Sequence, residues 1–512
     1  STPFLAATVR RFHNRREMNY QNLLTRLLCL CAPAPMLALA ACSTNPATGD
    51  QSFTAFMSEE DEARIGAEMH PKILDPYGGA YDEIELGAYV AKIGSRLAVL
   101  SELPKIEWRF TVLNDRNVNA FALPGGYIYI TRGLLALASN EAEMAGVLAH
   151  EIGHVTARHS AQRHSTNMAT SIGLTVLGVL GSAAGVPSGL GNVANLGAQA
   201  AIQQYSQGQE LQADMLGVRY MTRAGYDPSA MTSFFRKLKA HSELEAQEQG
   251  RDGIKHNIMS THPRTEDRIT QAIDLAKEKA VSRPIVRQKG YLAQINGLIF
   301  GDDPQQGVRR GRSFMHPELK IAFTVPPGFV LLNFPNQVVA VGPNKSRIIF
   351  NMVGSEQVSR VGSLPTYLRK SWGRGIGLQS VERVEVNGLR GATGNGRVDT
   401  KDGPRDVRLI AIRGDRKRIY RFSFVTPPSE TKRLSLELRR TTYSFRRLSG
   451  AEADKIQPLR LKIVRVLRGE SIADMAARFP FERFKREWFR LLNNLQPGER
   501  LKPGQNVKIV TG

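Results

Sequence analysis

The sequence predicts an α+β protein in three parts: a mainly helical domain with a small sheet over residues 58–285, a mostly β domain over 286–450, and a small βααβ module over 451–512. Three observations predict it. Apolar residues recur at helical spacing through the first part, interrupted by two short β-rich runs. In the second part, alternating apolar and polar runs are separated by Gly and Pro turns. In the third, two helical stretches stand between two strand patterns. The chain of 512 residues is long enough for more than one core, and 42% hydrophobic with 23% charged residues excludes a disordered or fibrous chain as the main state.

The first 57 residues stand apart from these domains. Met18 opens a segment with Arg26, an apolar run from Leu27 to Ala41, and then Cys42. It reads as a signal peptide, and the run is shorter than the roughly 20 residues of a spanning helix. Leu39-Ala40-Ala41-Cys42 resembles a bacterial lipobox, which makes Cys42 the expected lipidated first residue of the mature chain and residues 42–57 a lipid-anchored linker. The four arginines before Met18 are expected to belong to an upstream extension. Ser43, where envelope lipoproteins retained at the inner membrane carry Asp, suggests the periplasmic face of the outer membrane as the destination. Cys29 and Cys31 lie in the segment to be removed, so neither disulfides nor a thiol nucleophile is expected. Residues 1–41 hold five Arg and one Glu, so the formal charge falls from +22 to +18 on removal. That balance favours anionic neighbours such as lipid headgroups or cell-wall polymer. Export argues against nucleic acid.

The first domain begins with a helical pattern from Ser58 to about Leu100, opened by an N-cap and an acidic turn, Ser58-Glu-Glu-Asp-Glu. Strands are expected at Trp108–Leu113 and Tyr127–Thr131, then helices at about Asn140–Gln162, Gln207–Ala224, from Asp227-Pro228 onward, and Thr265–Lys279. Ser165 to Gln209 has no charged residue, and its apolar part, Ile172–Val186, is too short and glycine-rich to span a membrane. A pair of helices or a lid beside the active site stands against plain buried packing. In the second domain Phe314–Thr324, Gln337–Val353, Val381–Val386, Arg408–Ile412 and Ile419–Val425 read as strands. In the third, Arg460–Leu467 and Val507–Val510 are strands around a helix at Ile472–Phe479. With Leu491-Leu-Asn493-Asn494 and Pro503-Gly504-Gln505, this module resembles a LysM-type cell-wall binder, although Pro480–Trp488 is longer and more basic than that pattern. Peptidoglycan is the partner this resemblance implies. The bland alternative is a cap without glycan affinity.

The chemistry centres on His150-Glu151-Ile152-Gly153-His154. Histidines four apart lie one turn above each other on one helix face and can bind one zinc ion through neutral imidazoles, with Glu151 as the general base toward water. A third His along the same stretch is not available, because the positions for the helix-breaking Gly and for that His are Ala157 and Ser160. Glu210-Leu-Gln-Ala-Asp214 offers a carboxylate from a later helix and an Asp four residues on. Glu210 would complete the ligand set, and Asp214 would orient a ligand imidazole. Taken alone, both would read as a solvated face paired with Arg219 or Arg223. His159 and His164 lie five and ten residues from His154, off the ligand face, and read as solvated or packing residues. His256 and His316 show no partner in the sequence.

These two motifs, with Asn119-Ala-Phe-Ala-Leu-Pro-Gly-Gly126 before them and Ser260-Thr-His262-Pro263 after, resemble the M48 metallopeptidases over about residues 55–280. Exported members of the family resemble β-barrel assembly-enhancing and Oma-type proteases; the repeat period carried by the former is absent here. The resemblance implies a zincin-type domain, one zinc ion and endoproteolysis of unfolded, misassembled or membrane-associated envelope proteins. It further implies that Asn119, Ala120, Phe121, Pro124 and Gly125 border the substrate as a strand edge. His262 would either face the zinc at rest or help hold the oxyanion as a catalytic residue, and Arg268 would pair with substrate or Asp267. Two rivals remain. A latent scaffold would have no need of Glu151, and a cell-wall amidase would have no need of an edge suited to extended polypeptide.

Overall fold

The computed structural model describes residues 42–170, 205–249, 262, 266–278, 281–360, 362–415 and 417–512. The expected leader (1–41), the glycine-rich stretch proposed as a lid, His256, and the neighbours of His262 in its motif lie outside the described residues. No described helix is long and apolar enough to cross a membrane.

A short hairpin of β1 (Cys42–Thr44) and β2 (Gln51–Phe53) precedes helix α1 (Glu59–Leu74). Ser58 caps α1 in a capping box with Asp61. The helical pattern expected to run to Leu100 is broken by a 3₁₀ turn at Asp75–Tyr77 and by Gly78 and Gly79 at positive φ, after which α2 spans Ile84–Val99. Three strands follow: β3 (Arg109–Leu113), β4 (Ala120–Leu123) and β5 (Tyr127–Thr131). β5 is central, parallel to β3 and antiparallel to β4, so β4 lies at the sheet edge. The remaining helices are α3 (Arg132–Leu137), α4 (Glu141–Thr156), α5 (Gln207–Arg223), α6 (Ser229–Gln249), α7 (Glu266–Glu278) and α8 (Gln288–Gln294).

Every residue of α4 is buried. It packs against α2, α5, α6 and β4, which leaves it no solvent face. The expected continuous helix to Gln162 ends at Thr156, because Arg158 takes a left-handed conformation (φ 55°) and turns the chain before helix resumes over 159–170. Arg158 is held there by Glu62 at 2.8 Å and by the Met57 carbonyl at 2.9 Å.

The middle region is a seven-stranded antiparallel sheet, in spatial order Val330–Phe334, Gln337–Val341, Arg347–Gly354, Arg418–Thr426, Gly403–Arg413, Leu389–Thr400 and Ser380–Val386. A four-stranded sheet and the helix Pro428–Ser444 cover one face. Ile410 and Ile412 enter that core, while Leu409 and Ala411 enter the core on the other face. The strand patterns Phe314–Thr324 and Gln337–Val353 are hairpins split by turns, and the Gly-rich strand Leu389–Thr400 and the helix Pro428–Ser444 had no clear signal in the sequence.

The C-terminal segment runs strand Leu459–Arg465, helices Ile472–Ala477 and Lys485–Leu492, and strand Asn506–Thr511. Its two strands form a sheet with β6 (Ile299–Phe300), and Leu461, Phe489, Val507 and Ile509 share one apolar core with α2, α4 and α6. Lys508 is buried with its Nζ on the carbonyls of Ala136 (2.8 Å), Leu137 (3.2 Å) and Ala138 (2.8 Å). These are carbonyls at the C-terminal end of α3, and the Leu137 carbonyl also accepts from Lys237 Nζ.

Candidate metal centre

The centre is built where α4 and α5 cross. Both helices place a glycine at the contact: a Cβ on Gly153 would lie 3.0 Å from the Ala213 carbonyl oxygen, and one on Gly217 3.2 Å from the His150 nitrogen. The close approach brings Glu210 and Asp214, in the first half of α5, against His150 and His154 in the last turns of α4. Asn140 starts α4 by accepting a hydrogen bond from the Glu143 N–H at 2.9 Å.

His150 Nε2 and His154 Nε2 stand 3.0 Å apart. Glu210 completes the triangle, with Oε1 3.5 Å from His154 Nε2 and Oε2 3.6 Å from His150 Nε2. His262 Nδ1 lies 3.3 Å from His150 Nε2 and 2.9 Å from Glu210 Oε1. Ligand atoms of all four residues lie within 4.8 Å of one another, and all four residues are buried. Four donors about 2.1 Å from a common centre at tetrahedral angles would be about 3.4 Å apart. The observed separations fit a single metal ion, and three imidazoles with one carboxylate form the donor set of a borderline metal such as zinc.

Glu151 is fully buried beside this cluster, and neither of its carboxylate oxygens makes a hydrogen bond among the described residues. Its nearest charged partner is His262, with Nε2 at 3.5 Å. Burial raises the Glu151 pKa against the opposing pull of His262 and His150. For Glu210, burial works against the charged form, but His262 and His154 outweigh it and hold the carboxyl well below its usual range. For His262 the balance has the opposite sign: burial disfavours the cation, and the carboxylates of Glu210 and Glu151 raise its pKa despite that. Burial holds His154 in the neutral form, the one that can ligate a metal.

Behind the ligands, Asp214 Oδ1 is 2.8 Å from His150 Nδ1. Arg268, in the first turn of α7, holds Asp214 through Nε and Nη2, both at 2.7 Å, and Glu210 through Nη1 at 2.6 Å. The structure therefore sets Arg268 on the two carboxylates of α5, and the Asp267 side chain is outside the described part. The surface alternative for α5 fails too, since Arg219 and Arg223 pair with Glu102 and not with Glu210 or Asp214.

His159 corrects the sequence reading most directly. It is neither solvated nor mere packing: it is fully buried, with Nδ1 2.8 Å from His154 Nδ1 and Nε2 2.7 Å from Gln212 Oε1. Five residues along an unbroken helix it would point away; the turn at Arg158 returns it. Tyr205 stacks on His154 at a centroid distance of 3.7 Å and also escaped sequence reasoning, having no motif to mark it. His164 is exposed as expected, and His316 is buried in the middle region, accepting from the Leu319 N–H at 3.4 Å.

Of the predicted substrate edge, Ala120 and Phe121 lie in β4 and are buried. The Phe121 ring packs below the sheet on Tyr129 (4.9 Å) and Tyr77 (5.1 Å), so only backbone of this stretch can face a partner. Asn119 is buried, with its Oδ1 lacking a hydrogen bond among the described residues. Gly125, at φ 79°, turns the chain against α1, where a Cβ would meet Ala63 Cα at 2.8 Å, and the Pro124 carbonyl approaches Gly66. Beside His150 and Glu151 an apolar pocket opens, walled by Val147, Met231, Phe234, Phe235 and Leu238.

Residues 86–276 match the sequence pattern of peptidase family M48, so this part of the chain is similar to M48 peptidase domains. Among curated proteins, the chain is similar to the β-barrel assembly-enhancing proteases of Yersinia pestis (33% identity over 41% of this chain and 43% of that protein) and Escherichia coli strain K12 (32%, 42% and 43%). It is also similar to the mitochondrial metalloendopeptidase OMA1 of Schizosaccharomyces pombe (28% identity, 44% of this chain and 64% of that protein). The chain thus spans less than half of the two bacterial relatives and under two thirds of the yeast one.

Proposed function

We propose that the protein is a zinc-dependent endopeptidase of the bacterial envelope that hydrolyses unfolded or misassembled envelope proteins. The observation that carries this reading is a four-residue ligand cluster with a buried carboxylate, Glu151, beside it that has no hydrogen-bond partner among the described residues. His150, His154 and Glu210 would hold the ion. When bound, it would supply Lewis-acid polarisation of the peptide carbonyl and of the attacking water. Glu151 takes the proton of that water as its oxygen bonds to the carbonyl carbon, and returns the proton to the amine as the C–N bond breaks. A raised pKa suits that exchange, since the same group must accept and then donate. Asp214 and Arg268 keep His150 and Glu210 in place meanwhile. His262 stands at the fourth corner of the ligand set at rest and, moved off it, would be placed to bind the oxyanion.

Substrate would enter as an extended chain on the edge of β4 that pairs with no other strand among the described residues, with backbone from Asn119 to Leu123 pairing to it and the Pro124-Gly125 turn closing one end. The apolar residues beside Glu151 would favour a hydrophobic side chain next to the scissile bond, which unfolded polypeptide exposes and folded protein hides. The names of the bacterial relatives agree with substrates from β-barrel assembly. Lipidation at Cys42 and residence at the inner face of the outer membrane belong to the same reading, as does peptidoglycan binding by the C-terminal segment.

The test is cleavage of an unfolded model protein with and without a chelator, beside a Glu151→Gln variant assayed for bound metal. Cleavage is expected to be chelator-sensitive, and Glu151→Gln is expected to keep one metal ion per chain while losing activity by a factor of about 10²–10⁴. Wild-type-like cleavage by Glu151→Gln, or by metal-free protein, would sink the proposal.

A further inference from the structure

His150 and His154 present the same nitrogen, Nε2, to the ligand cluster, so each must carry its remaining proton on Nδ1 and needs an acceptor there. For His150 the group at that nitrogen is the carboxylate of Asp214, in ion-pair contact at 2.8 Å but off the line of an Nδ1–H hydrogen bond. No carboxylate backs His154. Its Nδ1 meets His159 Nδ1 at 2.8 Å, and the far side of the His159 ring meets Gln212 Oε1 at 2.7 Å. Two ring nitrogens in contact can share only one proton, and the amide oxygen of Gln212 can only accept. The one arrangement that satisfies the chain puts a proton on His159 Nε2, directed at Gln212, leaving the Nδ1 lone pair of His159 to receive Nδ1–H of His154.

We propose that His159 is a positioning residue of the metal centre: through its Nδ1 contact with His154 and its Nε2 contact with Gln212, it sets the His154 tautomer and ring orientation that direct Nε2 at the ion. The inference rests on the metal-site reading above. The fold has built the contact at some cost, because it requires the left-handed Arg158 between the two helical segments. It also explains why a neutral ring is used. Glu151, Glu210 and Asp214 are already three buried carboxylates around one cluster, with Arg268 the buried arginine paired to two of them, and a fourth would add uncompensated charge. Gln212 belongs to the device through its position in α5, between Glu210 and Asp214, so one helix carries the ligand and both supporting groups.

The experiment is a zinc competition titration on the apo-protein, full chain, for wild type, His159→Leu, His159→Gln and Gln212→Leu, with apo-protein melting and cobalt absorption measured alongside. His159→Leu is expected to weaken zinc binding by about 10–100-fold and to shift the cobalt bands. His159→Gln, which can still offer an acceptor, is expected to recover part of the loss, and Gln212→Leu to show a smaller loss of the same sign. If His159→Leu does not fold, the other two variants decide. A melting temperature lowered in the apo-protein with zinc affinity within twofold of wild type would assign His159 to packing and overturn the proposal. A wild-type chain without zinc affinity would overturn it together with the metal site, whereas tight wild-type binding matched by all variants overturns the role of His159 alone.

Discussion

His316 shows how far a single side chain can govern behaviour away from the centre. Burial, with a smaller contribution from Arg418, pushes its pKa down from 6.5 to about 4. A depressed folded-state pKa means that the unfolded chain binds the proton more readily, so this contribution to stability is complete above pH 6.5 and is lost as pH falls toward 4. About 3 kcal/mol is at stake across that window. Urea unfolding of wild type and His316→Gln from pH 7 to 4 should therefore show the wild type losing more stability on acidification; equal slopes would refute the assignment. The metal-site residues divide by the kind of signal they leave. His150, Glu151 and His154 are legible because their spacing on a helix is itself the geometry. Glu210 and Asp214 are legible only once that motif demands a third ligand. His159, Gln212, Tyr205 and the role of Arg268 are not legible, because they depend on how separate segments meet.

Helices and strands were read best where a cap or turn marks their ends. Ser58, Asn140, Ser206 and Ser471 each cap a helix close to where the expected one began. Reading failed where local pattern and tertiary demand part company: α4 stops at Thr156 without Gly or Pro, and Leu389–Thr400 is a long strand in spite of its glycines, held between two neighbours. The α4–α5 crossing carries the prediction at this scale. Gly153→Ala would place a methyl 3.0 Å from the Ala213 carbonyl oxygen and 3.2 Å from Leu216 Cβ, so α5 must retreat. A loss of about 1–3 kcal/mol in denaturant unfolding is expected, along with weaker metal binding as Glu210 moves from the histidines. Unchanged stability would show that the crossing has slack.

At the scale of the whole molecule, the C-terminal segment is bound into the peptidase core and is no appended module in its packing. Lys508 satisfies the carbonyls that end α3, and Lys237 of α6 reaches Ser139 Oγ at 2.6 Å from the other side. Trp488 donates to Glu248 at 2.6 Å and rests edge-on to Phe300. A chain ending at residue 450 would expose the apolar residues that now meet Leu461, Phe489, Val507 and Ile509, and would take Lys508 from the Ala136 and Ala138 carbonyls. It is expected to lose the cooperative unfolding of the peptidase region, seen in calorimetry as a broadened transition at lower temperature. A sharp transition at the wild-type temperature would show instead that the core is complete without the segment.

By itself, the sequence determined the mixed α+β character, most helix starts, the His150–Glu151–His154 group with its Glu210 partner, and the match to metallopeptidases. Those features are written in periodicity, caps and fixed spacing along a single element, where the chain's own geometry places the side chains. The tertiary structure alone decided the return of His159 to His154, the clamp of Arg268 on two carboxylates, the placing of β4 at the sheet edge, and the merging of residues 459–510 into the core around α2, α4 and α6. Each of these joins groups far apart in sequence or across a break in an element. What brings them together is the burial of apolar faces and the pairing of buried charges, and neither leaves a local pattern to read.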